Sequence, residues 1–149
     1  MSAFPKYILI LDEITFSSPN FDEVVLKNTY AGICHSQLIN LSRTPEIPEL
    51  LGHEGTAEVV AVGSKVKHVK EGDSVILSWM PNHFSKNKEY LKWTNFNYKN
   101  NTYKSLIYNW STYSKINSQF VYKLGKKANH KTHSTLGCAV ISGYLAVEK

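Results

Sequence analysis

Short runs rich in β-branched and aromatic residues occur at four places along the chain, separated by turn-forming residues. The runs are residues 22–33, 55–66, 75–79 and 119–124. Turn signals such as Ser17-Ser18-Pro19-Asn20 and Glu71-Gly72-Asp73-Ser74 precede two of them. This pattern predicts four short strands. Short strands joined by Gly and Pro turns favour a compact barrel over a parallel sheet.

Two segments have the character of helices. Residues 34–41 form a short helical turn after the first strand. Residues 133–148 are small and apolar, with larger apolar side chains at helical spacing: Leu136, Val140, Tyr144 and Val147. This spacing predicts a C-terminal helix, and Ser134 or Thr135 is its predicted N-cap.

Residues 81–109 differ from the rest of the chain. They are dense in Asn, Lys, Tyr and Trp, and we find no clean period of 2 or 3.6 in them. The segment is therefore predicted to be a long excursion or lobe. We find no internal repeat and no long linker, which predicts one domain over residues 1–149.

Composition narrows the functional class. The chain has 149 residues, 42% of them hydrophobic and 19% charged, as is typical of a globular domain. No apolar run approaches the ~18 residues of a membrane span, and no signal peptide is visible, so we expect a cytoplasmic protein without a membrane partner. The net charge of +5 comes almost entirely from scattered lysines, with Arg43 as the only arginine, which argues against nucleic-acid binding.

The two cysteines, Cys34 and Cys138, are far apart in sequence. A disulfide is not expected in a cytoplasmic chain. Two interpretations remain: both thiols are buried and inert, or both bind a metal. The residues around them bear on that choice.

Three short segments carry the candidate chemistry. They are Gly32-Ile33-Cys34-His35-Ser36, Leu51-Gly52-His53-Glu54-Gly55 and Leu136-Gly137-Cys138-Ala139. Each segment alone indicates little, because isolated His and Cys residues usually have structural roles. Together they offer two thiolates and one imidazole, a donor set that holds catalytic zinc with one coordination position left open.

In this order, and with residues 59–66 (VVAVGSKV) and 70–75 (KEGDSV) between them, the segments closely resemble the zinc-dependent medium-chain alcohol dehydrogenases. The resemblance is dense over residues 22–79 and again over 120–149. It implies a mainly β fold with short helices, a GroES-like partly open β-barrel, whose C-terminal helix leads toward a Rossmann domain.

The resemblance also implies roles for individual residues. Cys34, His53 and Cys138 match the three ligands of the catalytic zinc. Glu54 matches a carboxylate near the metal that can assist ligand exchange. Ser36 matches the hydroxyl that hydrogen-bonds the bound alcohol and passes its proton outward. Zinc would act as a Lewis acid on the alcohol oxygen while hydride moves from carbon to a nicotinamide ring.

Three further positions match less central parts of the family site. His35 is where many members have a basic residue that touches the cofactor phosphate. Ser142 matches a position that packs near the nicotinamide. Trp79 falls at a substrate-pocket position, so a small alcohol or aldehyde would meet an aromatic wall.

The sequence also departs from the family pattern. The four cysteines of the family's structural zinc are replaced by His83, Lys86, Glu89 and roughly Asn97, so we expect one catalytic zinc and no structural zinc.

Smaller departures lie near the catalytic site. Gln37 replaces the usual Asp that orients the ligand histidine, and Ala57 stands where a glycine is usual. Ile39 occupies the place where some members have the histidine that ends the proton relay.

No Gly-x-Gly-x-x-Gly motif occurs in the chain, so NAD or NADP is expected only if a partner domain supplies the site. The expected macromolecular partner is a separate nucleotide-binding chain or a second copy in a homo-oligomer. Three hypotheses stay open. The chain is the catalytic zinc portion of an alcohol dehydrogenase, a non-catalytic zinc-binding remnant of one, or an interaction module in which the cysteines only pack.

Overall fold

The computed structural model describes residues 9–42, 46–82 and 91–148, and these contain seven strands and three short α-helices. The strands are β1 (Glu23–Ala31), β2 (Gly55–Val62), β3 (Ser74–Leu77), β4 (Thr94–Tyr98), β5 (Asn101–Ser105), β6 (Tyr113–Asn117) and β7 (Val121–Lys123). The helices are α1 (His35–Leu41), α2 (His130–His133) and α3 (Ile141–Val147), with a 3₁₀ turn at Ser118–Phe120 and a π-helix at Leu136–Val140. None of the described helices is long and apolar enough to cross a bilayer.

Five strands form one open antiparallel sheet in the order β6-β1-β2-β3-β7. Its two edge strands, β6 and β7, are consecutive in the chain and are joined only by the Ser118–Phe120 turn. Edges joined by so short a turn must lie close together, so the sheet is strongly curved. The inward face carries a core of alternate apolar side chains, among them Val24, Leu26, Val59, Val75, Leu77, Ile116 and Phe120. The prediction of a mainly β fold with a partly open barrel is confirmed.

The four predicted strands and the short helix after the first strand are all present, with ends that differ by a few residues. The predicted C-terminal helix differs more. The region contains a separate four-residue helix, α2, at whose start the Asn129 side chain accepts from Thr132 N at 3.3 Å, and the π-helix and α3 follow it after a turn. Thr135 is at the N-cap position of the π-helix, as predicted, but its side chain makes no cap hydrogen bond, and Ser134 Oγ donates to Lys131 O.

The part of residues 81–109 that the structure describes contains two regular strands in a sheet of their own, although the sequence shows no clean period of 2 there. β4 and β5 pair as an antiparallel hairpin with Phe96 opposite Tyr103. Its two turn residues, Lys99 and Asn100, have φ values of 46° and 64°, and two-residue hairpin turns of this hand need positive φ at both positions. Thr94 Oγ1 donates to Lys115 O at 2.8 Å and so ties the hairpin to β6.

A buried ion pair joins the start of β1 to β6. Lys115 Nζ lies 3.4 Å from Glu23 Oε2, and the two side chains are 1% and 5% exposed. Both ends have further partners, since Lys115 Nζ donates to Ser17 Oγ at 3.2 Å and Glu23 Oε2 accepts from Asn20 N at 2.8 Å. Neither charge can reach water, so each depends on the other for compensation.

Removing one member of this pair should therefore destabilise the fold more than removing both. We expect Lys115→Met to lower the free energy of unfolding by about 3–5 kcal/mol, because the Glu23 charge stays buried without its cation. The double variant Glu23→Gln, Lys115→Met should recover most of that loss, as measured by urea denaturation.

Lys123→Met is the matched control. Lys123 pairs with Asp73 at 2.8 Å but is 51% exposed, so its loss should cost less than about 1 kcal/mol. Equal destabilisation by Lys115→Met and Lys123→Met would contradict the burial argument.

Candidate metal centre

Cys34, His53 and Cys138 come together from three distant parts of the chain. Their ligand atoms all lie within 4.8 Å of one another. The Sγ atoms of Cys34 and Cys138 are 3.6 Å apart, and His53 Nε2 lies 3.3 Å from Cys138 Sγ. In residues 9–42, 46–82 and 91–148 no other group of three His, Cys, Asp or Glu side chains could hold a metal. The predicted ligands are thus assembled by the fold.

The spacing fits a tetrahedral zinc site. With Zn–S near 2.3 Å and Zn–N near 2.0–2.1 Å, tetrahedral angles place two sulfurs about 3.8 Å apart and a sulfur and a nitrogen about 3.6 Å apart. The observed separations of 3.6 Å and 3.3 Å are close to these values. A disulfide would need about 2.05 Å, and both cysteines are free. The donor set and its geometry therefore fit zinc.

Each ligand is presented by a different local structure. Cys34 is the residue before α1, and His53 lies in the extended segment that enters β2. Cys138 lies inside the π-helix, where Val140 N donates to Thr135 O at 3.1 Å, five residues back. A π-helical turn widens the helix locally, and such turns are frequent at functional sites.

Glycines next to the ligands allow the segments to approach one another. Gly52 has φ +95°, and a Cβ there would overlap the Asn109 side chain and lie 2.8 Å from Trp110 N. A Cβ at Gly137 would overlap Leu77 O of β3. Ser78 Oγ also donates to Gly137 O at 2.7 Å, which holds the π-helix against the end of β3. Glycine at these positions is thus a steric requirement of the site.

Asn109 is a functional residue that sequence reasoning missed. It is 2% exposed and lies between Gly52 and Gly55. Its Nδ2 donates to Glu54 O at 2.7 Å, and its own N donates to Leu51 O at 3.1 Å. These bonds clamp the segment that carries His53. No local motif marks Asn109, because its partners lie more than 50 residues away.

Burial and neighbouring hydroxyls shift the pKa values of the candidate ligands. Burial lowers the pKa of His53, which keeps the imidazole neutral and able to bind a metal. The Ser36 hydroxyl holds the pKa of Cys34 below its ordinary value. Burial raises the pKa of Cys138 to about 12, although the Ser142 hydroxyl opposes this in part. The two thiols therefore differ, and a bound dication would favour the thiolate form of both.

Glu54 is almost completely buried beside the ligands. It is 1% exposed, and its Oε2 accepts from Ala139 N at 3.0 Å, one residue beyond Cys138. A Cβ at Gly32 would lie 2.7 Å from its carboxyl carbon. Burial raises the pKa of this carboxyl. Glu54 thus connects the segment of His53 to the π-helix of Cys138.

Gln37 lies directly behind two of the ligands. It is 2% exposed, its Oε1 accepts from Cys34 N at 2.9 Å, and its Nε2 contacts His53 Nδ1. The residue that replaces the family's aspartate thus touches the ligand histidine.

The remaining predicted residues are placed as follows. Ser36 and His35 are both in the first turn of α1, near the surface. Ser142 is an exposed residue of α3, and Trp79 is 47% exposed just after β3.

The departures from the family pattern lie in different places. Ile39 is 44% exposed on α1, and Ala57 is fully buried in β2. Asn97 lies in β4, where its Oδ1 accepts from Thr102 at 2.8 Å. The prediction for His83, Lys86 and Glu89 falls outside the described residues.

A curved open β-sheet beside a cluster of two cysteines and one histidine defines a small barrel domain with a candidate metal site. The family model for the alcohol dehydrogenase GroES-like domain matches residues 20–126. The chain belongs to this family.

Two relatives illustrate the similarity in sequence. The S-(hydroxymethyl)glutathione dehydrogenase of Haemophilus influenzae is 45% identical over 75 residues, which is 48% of this chain and 20% of that protein. The NDMA-dependent alcohol dehydrogenase of Amycolatopsis methanolica is 40% identical over 74 residues, again 48% of this chain and 20% of that protein. The chain thus spans about a fifth of the length of these relatives.

Solved structures share the fold. Benzyl alcohol dehydrogenase from Acinetobacter calcoaceticus superposes with a TM-score of 0.64 at 21% identity, covering 87% of this chain and 41% of that one. CAD from Helicobacter pylori complexed with NADP(H) gives a TM-score of 0.68 at 23% identity, covering 88% of this chain and 42% of that one. At such identities the likeness shows the fold alone.

Substituting the glycine beside His53 tests the steric requirement. We expect Gly52→Ala to lower the free energy of unfolding by about 2–5 kcal/mol, since positive φ and overlap with Asn109 both oppose a Cβ. Zinc content after purification should fall as well, as measured by inductively coupled plasma mass spectrometry.

Gly72→Ala controls for backbone strain alone. Gly72 has φ +79°, but nothing lies within 4 Å of its built Cβ, so a loss of about 1–2 kcal/mol with normal zinc content is expected. If Gly52→Ala and Gly72→Ala show the same loss in free energy of unfolding and the same zinc content, crowding around Gly52 is not what positions His53.

Proposed function

We propose that this chain is the catalytic, zinc-carrying portion of an alcohol dehydrogenase, which oxidises a small alcohol to an aldehyde or ketone with hydride transfer to NAD or NADP. The observation that carries the proposal is the spacing of Cys34, His53 and Cys138 at distances suited to tetrahedral zinc. Membership of the alcohol dehydrogenase GroES-like family supports it.

Zinc held by these three residues would supply Lewis-acid chemistry at the alcohol oxygen. Ser36 would accept the hydroxyl proton of the substrate and pass it to water, because Ile39 offers no further proton acceptor. Ser36 lies in the first turn of α1, two residues after Cys34, and its hydroxyl lowers the pKa of the Cys34 thiol, so it lies in the immediate surroundings of the ligands. Glu54 would hold the segments that carry His53 and Cys138 together and assist ligand exchange.

The cofactor would be held by a nucleotide-binding domain outside residues 1–149. Exposed apolar side chains on α3 suit such a neighbour, with Tyr144 58%, Leu145 51% and Val147 81% exposed. We propose that His35 contacts cofactor phosphate, that Ser142 packs near the nicotinamide, and that Trp79 forms one wall of the alcohol pocket. Thiolate ligands suit a reducing compartment, so we place the protein in the cytoplasm.

Zinc content tests the site directly. We expect one zinc per chain in the purified protein, and near-complete loss in Cys34→Ser and in Cys138→Ser, because a hydroxyl is a poor zinc ligand beside the remaining thiolate and imidazole. His68→Ala is the control, since His68 is an exposed histidine bonded to Ser118 O and Val121 O.

Thiol labelling separates this proposal from an interaction module with packed cysteines. Both thiols should resist alkylation until a chelator is added. A folded, zinc-free protein whose thiols ignore the chelator would overturn the proposal.

Turnover tests the catalytic part. Combined with the nucleotide-binding domain of a relative and with NAD or NADP, the chain should oxidise simple alcohols. Ser36→Ala should lower kcat by about 10²-fold or more with zinc content unchanged, because proton transfer at the substrate hydroxyl is lost.

Ser64→Ala, on the exposed turn after β2, should leave kcat unchanged. Full zinc loading without any turnover in this mixture would instead favour a non-catalytic zinc-binding remnant.

A further inference from the structure

We propose that Gln37 is a positioning residue that opposes metal binding, because its side-chain amide offers one acceptor to two N–H groups of the metal-bound site. This inference rests on the proposed zinc site and concerns how tightly that site holds its metal. Gln37 is 2% exposed, so its polar atoms must find partners within the protein.

Two groups share the Gln37 amide. Cys34 N, which precedes α1, donates to Gln37 Oε1 at 2.9 Å. His53 Nδ1 contacts Gln37 Nε2. An amide nitrogen can only donate, so His53 Nδ1 acts here as the acceptor. With Nδ1 as the acceptor, the ring proton sits on Nε2, the atom that lies 3.3 Å from Cys138 Sγ.

Metal binding requires the opposite arrangement. A metal takes the lone pair of His53 Nε2, so the ring proton must move to Nδ1. The Nδ1–H and the Gln37 NH₂ group would then face each other as two donors. Turning the amide over only moves the conflict, because its NH₂ group would then face Cys34 N–H. Either orientation leaves one donor opposite another.

A carboxylate in the same place has no such conflict. Both of its oxygens accept, so one can serve Cys34 N–H and the other His53 Nδ1–H. Partners of this kind behind a ligand histidine commonly change metal affinity by about 10–100-fold. The chain with Gln37 therefore holds zinc in a weaker and more readily exchanged form than a glutamate at this position would allow.

Gln37→Glu is the direct test. We expect it to tighten zinc binding by about tenfold or more in competition with a chelator of known affinity. Gln119→Glu is the matched control, because Gln119 is a second buried glutamine, 5% exposed, on the turn between β6 and β7. That variant should leave zinc affinity unchanged. Equal zinc affinity in the wild type and Gln37→Glu would overturn the inference.

The position of the ring proton gives a second readout that needs no metal. Long-range ¹H–¹⁵N spectra of the metal-free wild type should show the His53 proton on Nε2, and zinc should move it to Nδ1. Metal-free Gln37→Glu should already have it on Nδ1. A metal-free wild type with the proton on Nδ1 would overturn the inference even if Gln37→Glu fails to fold.

The two proposals fail in different ways. Absence of zinc binding in both the wild type and Gln37→Glu would remove the proposed zinc site, and this inference with it. Zinc bound equally by both proteins would leave the zinc site standing and remove only the role of Gln37.

Discussion

The close approach of three backbone segments around His53 and Cys138 is the constraint on which the site depends. Gly52 lets Asn109 lie against the segment of His53, and Gly137 lets the π-helix lie against Leu77 O. A side chain at either glycine would overlap these neighbours, so the segments that carry His53 and Cys138 could not approach as they do. The candidate ligands provide the metal-binding atoms, whereas the glycines allow those atoms to lie close to one another.

The strands could be predicted from the sequence where apolar alternation is strong, as in β1 and β2. The β4–β5 hairpin was not predicted, although Thr94, Phe96 and Tyr98 alternate with asparagines, because asparagine is a weak strand former and the turn lacks the usual glycine. The turn instead places Lys99 and Asn100 at positive φ. Tertiary contacts such as that of Thr94 Oγ1 with Lys115 O support this hairpin against its local preference.

Some residues of the candidate site could be predicted from the sequence and others could not. Its candidate ligands lie in short motifs, so Cys34, His53 and Cys138 could be proposed from the sequence, and the fold brings them together. The clamp by Asn109 could not be identified, because it depends on which distant segments become neighbours. Gln37 lies between these cases. The sequence shows that Gln37 stands where the resembled family has an acid, but only the structure shows that two N–H groups compete for its one amide oxygen.

The sequence separation of the ligands has a consequence for how the protein matures. Cys34 and Cys138 are 104 residues apart, so closing the loop between them is entropically expensive and must await the pairing of the strands that lie between. In small zinc fingers the ligands are close in sequence and the metal drives folding. Here a metal ion cannot gather its ligands early on a nascent chain, because the third ligand emerges from the ribosome long after the first. The proposed zinc would therefore be bound by an already folded barrel, and zinc occupancy would then report on completed folding.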